Sequence, residues 1–201
     1  MKELILESKG IQTDQYFIPP FELREGELVL IYLDNHPVSY EAESSLIDIF
    51  SGKVKHKDVI IYKPLTYAKH FRESEFRRRF FPITVGEYLK RNANEKSEYA
   101  KKIYEIDWIH KKTKVNILPG NPRRLITLYS VLSKTKNIIF DVVAQDSQGI
   151  KETGQIVKRE VEKGGSAILF DWKDILKKDC TKYIKIEWLI DLEKNKREFN
   201  F

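Results

Sequence analysis

Apolar residues occur along the chain in short, nearly uninterrupted runs, which are typical of strands covered on both faces of a sheet. The longest such runs are 28–33 (LVLIYL), 137–143 (NIIFDVV) and 166–172 (SAILFDW). Shorter runs predict further strands at 3–7, 57–62 and 183–190. Because strands and helices alternate through the second half, the pattern predicts an α/β fold with a core sheet and flanking helices.

Helical spacing of apolar residues predicts the elements between these strands. It indicates helices at 45–51, 123–132 and 150–165, the last one ended by a Gly-Gly pair. The segment 68–115 is charged and helical, most clearly over 86–108. The sequence Pro-Gly-Asn-Pro at 119–122 is expected to break the chain before the helix at 123–132.

Composition narrows the class of protein. With 201 residues and 41% hydrophobic positions, one domain over residues 1–201 is expected. The net charge of +6 comes from mixed charges, which are typical of a solvated surface rather than of a nucleic-acid-binding stripe. The single cysteine, Cys180, excludes a disulfide framework. No apolar run could span a bilayer and no signal peptide is evident, so a soluble, cytoplasmic protein is expected.

The stretch 28–53 joins a predicted strand to a predicted helix. Ser44 and Ser45 are placed to start that helix as capping residues. A strand, a loop and a helix beginning at hydroxyls form the frame of phosphate-binding loops. However, no glycine lies between Gly26 and Gly52, and Glu43 directly precedes the serines.

In their order along the chain, these segments resemble an ATP-binding-cassette (ABC) ATPase. The stretch 28–52 is similar to the phosphate-loop strand and its helix, and 80–89 (FFPITVGEYL) to the entry into the helical subdomain. The segments 118–125 (LPGNPRRL) and 137–149 lie where the signature motif and the Walker B strand would be. The resemblance implies a P-loop-NTPase-like core sheet with a helical subdomain inserted at roughly 73–133.

The resemblance also implies the positions of the nucleotide-binding groups, and this chain departs from them. In the family, glycine N–H groups and a lysine hold the phosphates. Here the corresponding loop, residues 34–43, lacks glycine and contains Pro37. Glu43 occupies the lysine position and would repel a polyphosphate by on the order of several kcal/mol. Ser44 stands at the hydroxyl that would hold magnesium, where we expect it to act as a plain helix cap.

The other catalytic elements are changed in the same way. Asp141 matches the Walker B aspartate, but Val142 replaces the catalytic glutamate that follows it. No glutamine lies between Gln15 and Gln145, and no histidine stands at the switch position. Gly120 is what remains of the signature motif. We therefore predict a non-catalytic relative without ATP or metal as a cofactor. An equally supported alternative makes Asp141 a strand-end residue that caps nearby backbone.

An aromatic and basic segment at 69–81 is the clearest surface feature. Its central residues are Phe76, Arg77, Arg78, Arg79, Phe80 and Phe81. These residues could tie the helical region to the sheet, form an interface with a partner protein or bind nucleic acid, in that order of preference. The four histidines, at 36, 56, 70 and 110, are expected on the solvated surface.

These features suggest a pseudo-ATPase subunit of a transporter-like complex. It would pair with an active ABC ATPase or with a second copy of itself as a dimer, and dock on an integral membrane transporter subunit through the region 71–81. It would then lie at the inner face of the membrane through its partner subunits. Two alternatives stay open: a weak, atypical ATP-binding ATPase and a basic nucleic-acid-binding module.

Overall fold

The computed structural model describes residues 2–192 of the chain. Over those residues it contains eleven strands. They are β1 (Leu4–Ser8), β2 (Ile11–Gln12), β3 (Tyr16–Ile18), β4 (Phe21–Arg24), β5 (Leu28–Tyr32), β6 (Val59–Ile61), β7 (Thr66–Tyr67), β8 (Asn137–Asp141), β9 (Ser166–Asp171), β10 (Lys182–Lys185) and β11 (Glu187–Trp188).

Six α-helices connect these strands within the same residues. They are α1 (Pro37–Phe50), α2 (Glu75–Phe80), α3 (Val85–Asn92), α4 (Tyr99–Lys102), α5 (Gly120–Leu132) and α6 (Ser147–Glu162). Short 3-10 helices lie at Ile103–Glu105, Val115–Ile117 and Lys177–Asp179. The start of α6 follows a clear sequence signal, because the Asp146 side chain accepts a hydrogen bond from the Gly149 N–H at 2.8 Å.

The central sheet has five parallel strands in the order β10-β5-β9-β8-β7. In the middle of the sheet, Leu169 of β9 lies opposite Leu30 on one side and Phe140 on the other. All six residues of β9 are buried, which is why this strand is a continuous apolar run. The predicted α/β fold with a sheet covered on both faces is therefore confirmed.

Successive residues of a strand point to opposite faces, and two apolar clusters form accordingly. Leu30 packs in the cluster that contains Leu125 of α5. Its neighbour Ile31 packs in the other cluster, which contains Phe50 of α1. Two antiparallel sheets, β4-β1-β6 and β11-β3-β2, contribute residues to this second cluster. Phe21 of β4 contacts Phe50 edge to face at 5.5 Å, so α1 is held between sheets.

Four helices, α2 to α5, lie between β7 and β8. The expected continuous helix over 86–108 is divided, because α3 ends at Asn92 and α4 has only four residues. The expected break at 119–122 is instead the first turn of α5, which begins at Gly120 after the N-cap Pro119. Pro122 is tolerated there because first-turn N–H groups have no partner within the helix. A separate helical subdomain over 73–133 stays a prediction.

Candidate functional site

A cleft of about 950 Å³ opens where β7 and β8 end. The carboxyl ends of parallel strands are the usual position of ligand sites in open α/β sheets. Residues of α1, the segment after β7, the start of α5 and the segment after β8 line the cleft. It brings together Glu43, Ser44, Gly120 and Asp141, four residues that the sequence singled out. Ser45 is not among the residues that line it.

The connection from β5 to α1 is much shorter than expected. The helix begins at Pro37, so only residues 33–36 separate the two elements. His36 is the N-cap: its Nδ1 accepts a hydrogen bond from the Val38 N–H at 3.3 Å, and its carbonyl accepts one from the Ser39 N–H. The predicted loop at 34–43 is therefore wrong, because Pro37 suits a first helical position and His36 supplies the cap. The predicted surface position of His36 is also wrong, because it is buried.

Glu43 and the two serines lie inside α1 rather than at its start. Ser44 and Ser45 are exposed and do not cap the helix, so this prediction is wrong as well. Glu43 faces inward and is only 7% exposed. Burial, reinforced by the negative charge of Asp141, raises the pKa of the Glu43 carboxyl to about 8, although Arg124 partly opposes the shift. The carboxyl is therefore mainly protonated at neutral pH.

Asp141, the last residue of β8, is buried and extensively bonded. Its Oδ2 accepts a hydrogen bond from the Tyr67 hydroxyl at 2.6 Å, and its Oδ1 lies 3.0 Å from His70 Nε2. Oδ1 also accepts from the Val143 N–H at 2.9 Å and lies 3.1 Å from Arg124 Nη2. Burial alone would raise the pKa of Asp141, but His70 and Arg124 outweigh it and hold that pKa below its usual value.

Arg124 contacts the chain segments that meet at Asp141. We call Tyr67, His70, Arg124 and Asp141 the cleft floor. Its guanidinium is buried, and it donates to the carbonyl oxygen of Ala68 at 3.2 Å and to that of Asp141 at 2.6 Å. The sequence reasoning missed Tyr67, His70 and Arg124 as partners of Asp141. His70 was expected on the surface, yet its side chain is only 26% exposed and contacts this carboxylate. No local pattern links these residues, since 71 positions separate His70 from Asp141 along the chain.

Gly120 packs closely against the loop that follows β8. A Cβ added at Gly120 would overlap the carbonyl oxygen of Ala144, so only glycine fits. The neighbouring Asn121 bonds Asp146 twice: its Nδ2 donates to the carboxylate at 3.0 Å, and its Oδ1 accepts from the Asp146 N–H at 3.3 Å. The signature-like residues Gly120 and Asn121 therefore contact the loop after β8 of the same chain.

The aromatic and basic residues 76–81 lie outside the cleft. No residue of α2 is buried, and Phe76, Phe80 and Phe81 are 68%, 57% and 70% exposed. The preferred interpretation, that the phenylalanines of the segment 69–81 tie the helical region to the sheet, is therefore wrong for these three. It agrees with the structure for Phe71, which packs against the apolar cluster and meets Tyr88 edge to face at 5.6 Å.

Other parts of the described chain add little chemistry. Burial raises the pKa of Cys180 to about 12, so its thiol is unreactive at neutral pH. Within residues 2–192, no group of three or more histidine, cysteine, aspartate or glutamate residues is arranged to hold a metal ion. Over the same residues, none of the helices is both long and apolar enough to cross a membrane.

Comparison with known proteins identifies the fold. No protein-family model and no curated protein matches the sequence. Among solved structures, cbiO1 from Clostridium perfringens, part of the ABC transporter complex cbiONQ, is similar with a TM-score of 0.63 and 15% identity over 98% of this chain and 92% of that chain. A nucleotide-free ATP-binding cassette from an ABC transporter is similar with a TM-score of 0.65 and 14% identity over 96% and 94%. The ADP conformation of MJ1267, another ATP-binding cassette, gives 0.65 and 15% over 93% and 88%. The chain thus has the fold of an ABC ATPase.

Proposed function

We propose that this protein is a catalytically inactive, ABC-ATPase-like subunit that acts as a structural or regulatory component of a transporter complex. The observation that carries this proposal is the short connection between β5 and α1, which ends at the N-cap His36. A phosphate cradle needs several consecutive free backbone N–H groups that can curl around an anion. Pro37 has no N–H group, and the N–H of Val38 and that of Ser39 already bond His36.

Asp141, the residue that the resemblance places near magnesium, is also poorly suited to bind a metal ion. To bind Mg²⁺, a carboxylate must offer an oxygen lone pair to the ion. In Asp141, Oδ1 already meets His70, Arg124 and Val143, and Oδ2 accepts from Tyr67. The buried Arg124 guanidinium also places a positive charge 3.1 Å from Asp141 Oδ1, where it would repel a cation bound to this carboxylate. We therefore assign neither Mg²⁺ nor ATP as a cofactor.

The Glu43 carboxyl adds a further obstacle to a triphosphate. It lies on the cleft wall that α1 forms, where the resemblance places a phosphate-binding lysine. It is mainly protonated at pH 7, so the charge repulsion predicted from the sequence is largely absent at that pH. The residue nevertheless lacks the positive charge with which a lysine attracts phosphate.

In this proposal the fold serves as a scaffold. The cleft face would pair with an active ABC ATPase or with a second copy, and the region 71–81 would dock on an integral membrane subunit. The helices within 73–133 would form the subdomain that carries this docking region. The protein would then lie at the cytoplasmic face of the membrane through its partner subunits.

Purification of the tagged full-length chain from native membranes in mild detergent tests this role. We expect an ABC ATPase with an intact phosphate loop and a multi-span membrane protein to co-purify in fixed ratio, or a dimer of this chain with the membrane protein. The Asp179→Asn variant removes an exposed ion pair with Lys158, which lies outside the cleft lining; it serves as a matched control and should recover the same complex. Recovery of the chain alone, with magnesium-dependent ATP hydrolysis, would instead support the weak-ATPase alternative.

A further inference from the structure

The helix α2 is exposed along its whole length. Its residues 76–80 and the following Phe81 form what we call the Phe–Arg knob, residues 76–81. Phe76 lies at the centre of its aromatic part, with ring-centroid distances of 5.0 Å to Phe80 and 6.4 Å to Phe81. The Arg79 guanidinium lies 5.7 Å from the centroid of Phe80. Phe76 thus contacts both other rings, and the three side chains, all more than half exposed, form an apolar patch of the kind that marks interaction sites.

The knob is held firmly at both ends. At its start, Ser74 caps α2 by accepting a hydrogen bond from the Arg77 N–H. The Glu73 side chain, 3% exposed, accepts from the Ile83 N–H at 2.8 Å, so the chain entering α2 is fixed to the chain leaving it. Ile83 is itself buried in the core. A surface already ordered in this way loses little conformational entropy on binding.

The charged residues of the knob are three arginines, and two of them have no ion pair among the described residues. The chain has 26 lysines and 10 arginines, yet the knob carries Arg77, Arg78 and Arg79 and no lysine. Among the described residues, Arg77 has an ion pair, with Glu73 at 3.6 Å, whereas Arg78 and Arg79 have none. Arginine binds carboxylates through two parallel hydrogen bonds, which lysine cannot do. Because arginine binds phosphates in the same way, the composition indicates recognition of carboxylate or phosphate groups at fixed positions.

We propose that the Phe–Arg knob inserts into an apolar pocket rimmed by aspartate or glutamate side chains on a partner protein. This inference rests on the proposed function and specifies the chemistry of the docking partner. The phenylalanines fill the pocket, and Arg78 and Arg79 bind the carboxylates of its rim.

Neighbouring acidic residues favour a protein partner over a polyanion. Glu75 lies within α2, and Glu87 lies at the start of α3, in the capping box of that helix. Hydrogen bonds from Thr84 hold the pKa of Glu87 below its usual value, so it remains charged. A continuous array of phosphates, on a nucleic acid or an anionic bilayer, would meet these carboxylates beside the arginines.

Site-specific photo-crosslinking of the full chain in native membranes tests the inference. Phe80 is replaced by photoreactive benzoylphenylalanine, and the crosslinked residue is mapped by mass spectrometry. We expect it to lie in a protein pocket with at least two carboxylates on its rim. Arg78→Glu with Arg79→Glu should lower the crosslink yield about tenfold or more, and Arg78→Lys with Arg79→Lys about threefold. Lys111→Glu with Lys112→Glu, at exposed positions outside the knob, is the matched control and should leave the yield unchanged.

A charge exchange completes the test. Changing the mapped carboxylates to lysine should abolish the crosslink of the parent chain and restore that of the Arg78→Glu, Arg79→Glu variant. The inference is overturned if the crosslink lies on lipid, nucleic acid or a pocket without carboxylates, if no protein is crosslinked, or if charge reversal changes nothing. If the transporter partners nevertheless co-purify with the chain, the proposed function survives and only the docking chemistry is wrong.

Discussion

The charged groups of the cleft floor and those of the Phe–Arg knob are arranged in opposite ways. At the floor, His70 and Arg124 surround the buried carboxylate of Asp141. In the knob, Arg78 and Arg79 are exposed and have no ion pair among the described residues. A buried charge is costly to separate from its bonded partners and is therefore hard to recruit for a ligand, whereas an exposed, unpaired charge is free to bind. The comparison therefore assigns a structural role to the cleft floor and an interaction role to the knob.

The largest expected effect is the loss of the buried carboxylate. Asp141→Asn preserves the shape of the side chain but leaves the Arg124 guanidinium buried without its counter-ion. We expect the free energy of unfolding to fall by about 3–5 kcal/mol, measured by urea denaturation at pH 7. Asp48→Asn, which removes an exposed pair with Lys53, should change it by less than about 1 kcal/mol. Similar small effects in both variants would contradict a structural role for the floor.

The second-largest expected effect is an increase in stability, caused by Glu43→Gln, and its size depends on pH. The pKa of Glu43 is about 8 in the folded protein against a reference of 4.5, so between these values the folded state holds a proton that the unfolded chain has lost. The stability from this proton is complete below about pH 4.5 and is lost as the pH rises through 8. We expect Glu43→Gln to match the parent near pH 4.5 and to exceed it by about 1–3 kcal/mol at pH 8.

Chemical denaturation of the parent and of Glu43→Gln across pH 4.5–8.5 measures this difference. Glu41→Gln, an exposed position on the same helix, provides the control and should give a constant offset. A pH-independent gap between the parent and Glu43→Gln would show that the Glu43 carboxyl is ionised in the folded protein throughout this range.

The smallest expected effect concerns the knob. Arg78→Gln with Arg79→Gln, or Phe76→Ser with Phe80→Ser, removes exposed groups that make no contact with the core. The free energy of unfolding should change by no more than about 0.5 kcal/mol, because surface substitutions away from caps and cores rarely have a larger effect. The melting temperature should therefore shift only slightly. Calorimetry of the purified variants checks this. A loss above about 2 kcal/mol would show that the knob is part of the folded core rather than an interaction surface.

The sheet could be predicted from the sequence because each strand carries its own signal. The runs at β5, β8 and β9 are apolar in nearly every position, as strands buried on both faces require. The start of α1 was mistaken because Ser44 and Ser45 match the usual caps, whereas histidine at position 36 is a rarer one. The floor could not be predicted at all, since Tyr67, Arg124 and Asp141 meet only through tertiary folding.

The central claim is that the cleft has no place for the phosphates of a nucleotide. Isothermal titration of the purified full-length chain with ATP and Mg²⁺ at pH 7.5 tests it directly. We expect no saturable binding up to about 1 mM ATP, which corresponds to a binding free energy weaker than about −4 kcal/mol. Stoichiometric binding with a micromolar dissociation constant, lost in an Asp141→Asn variant that remains folded, would contradict it.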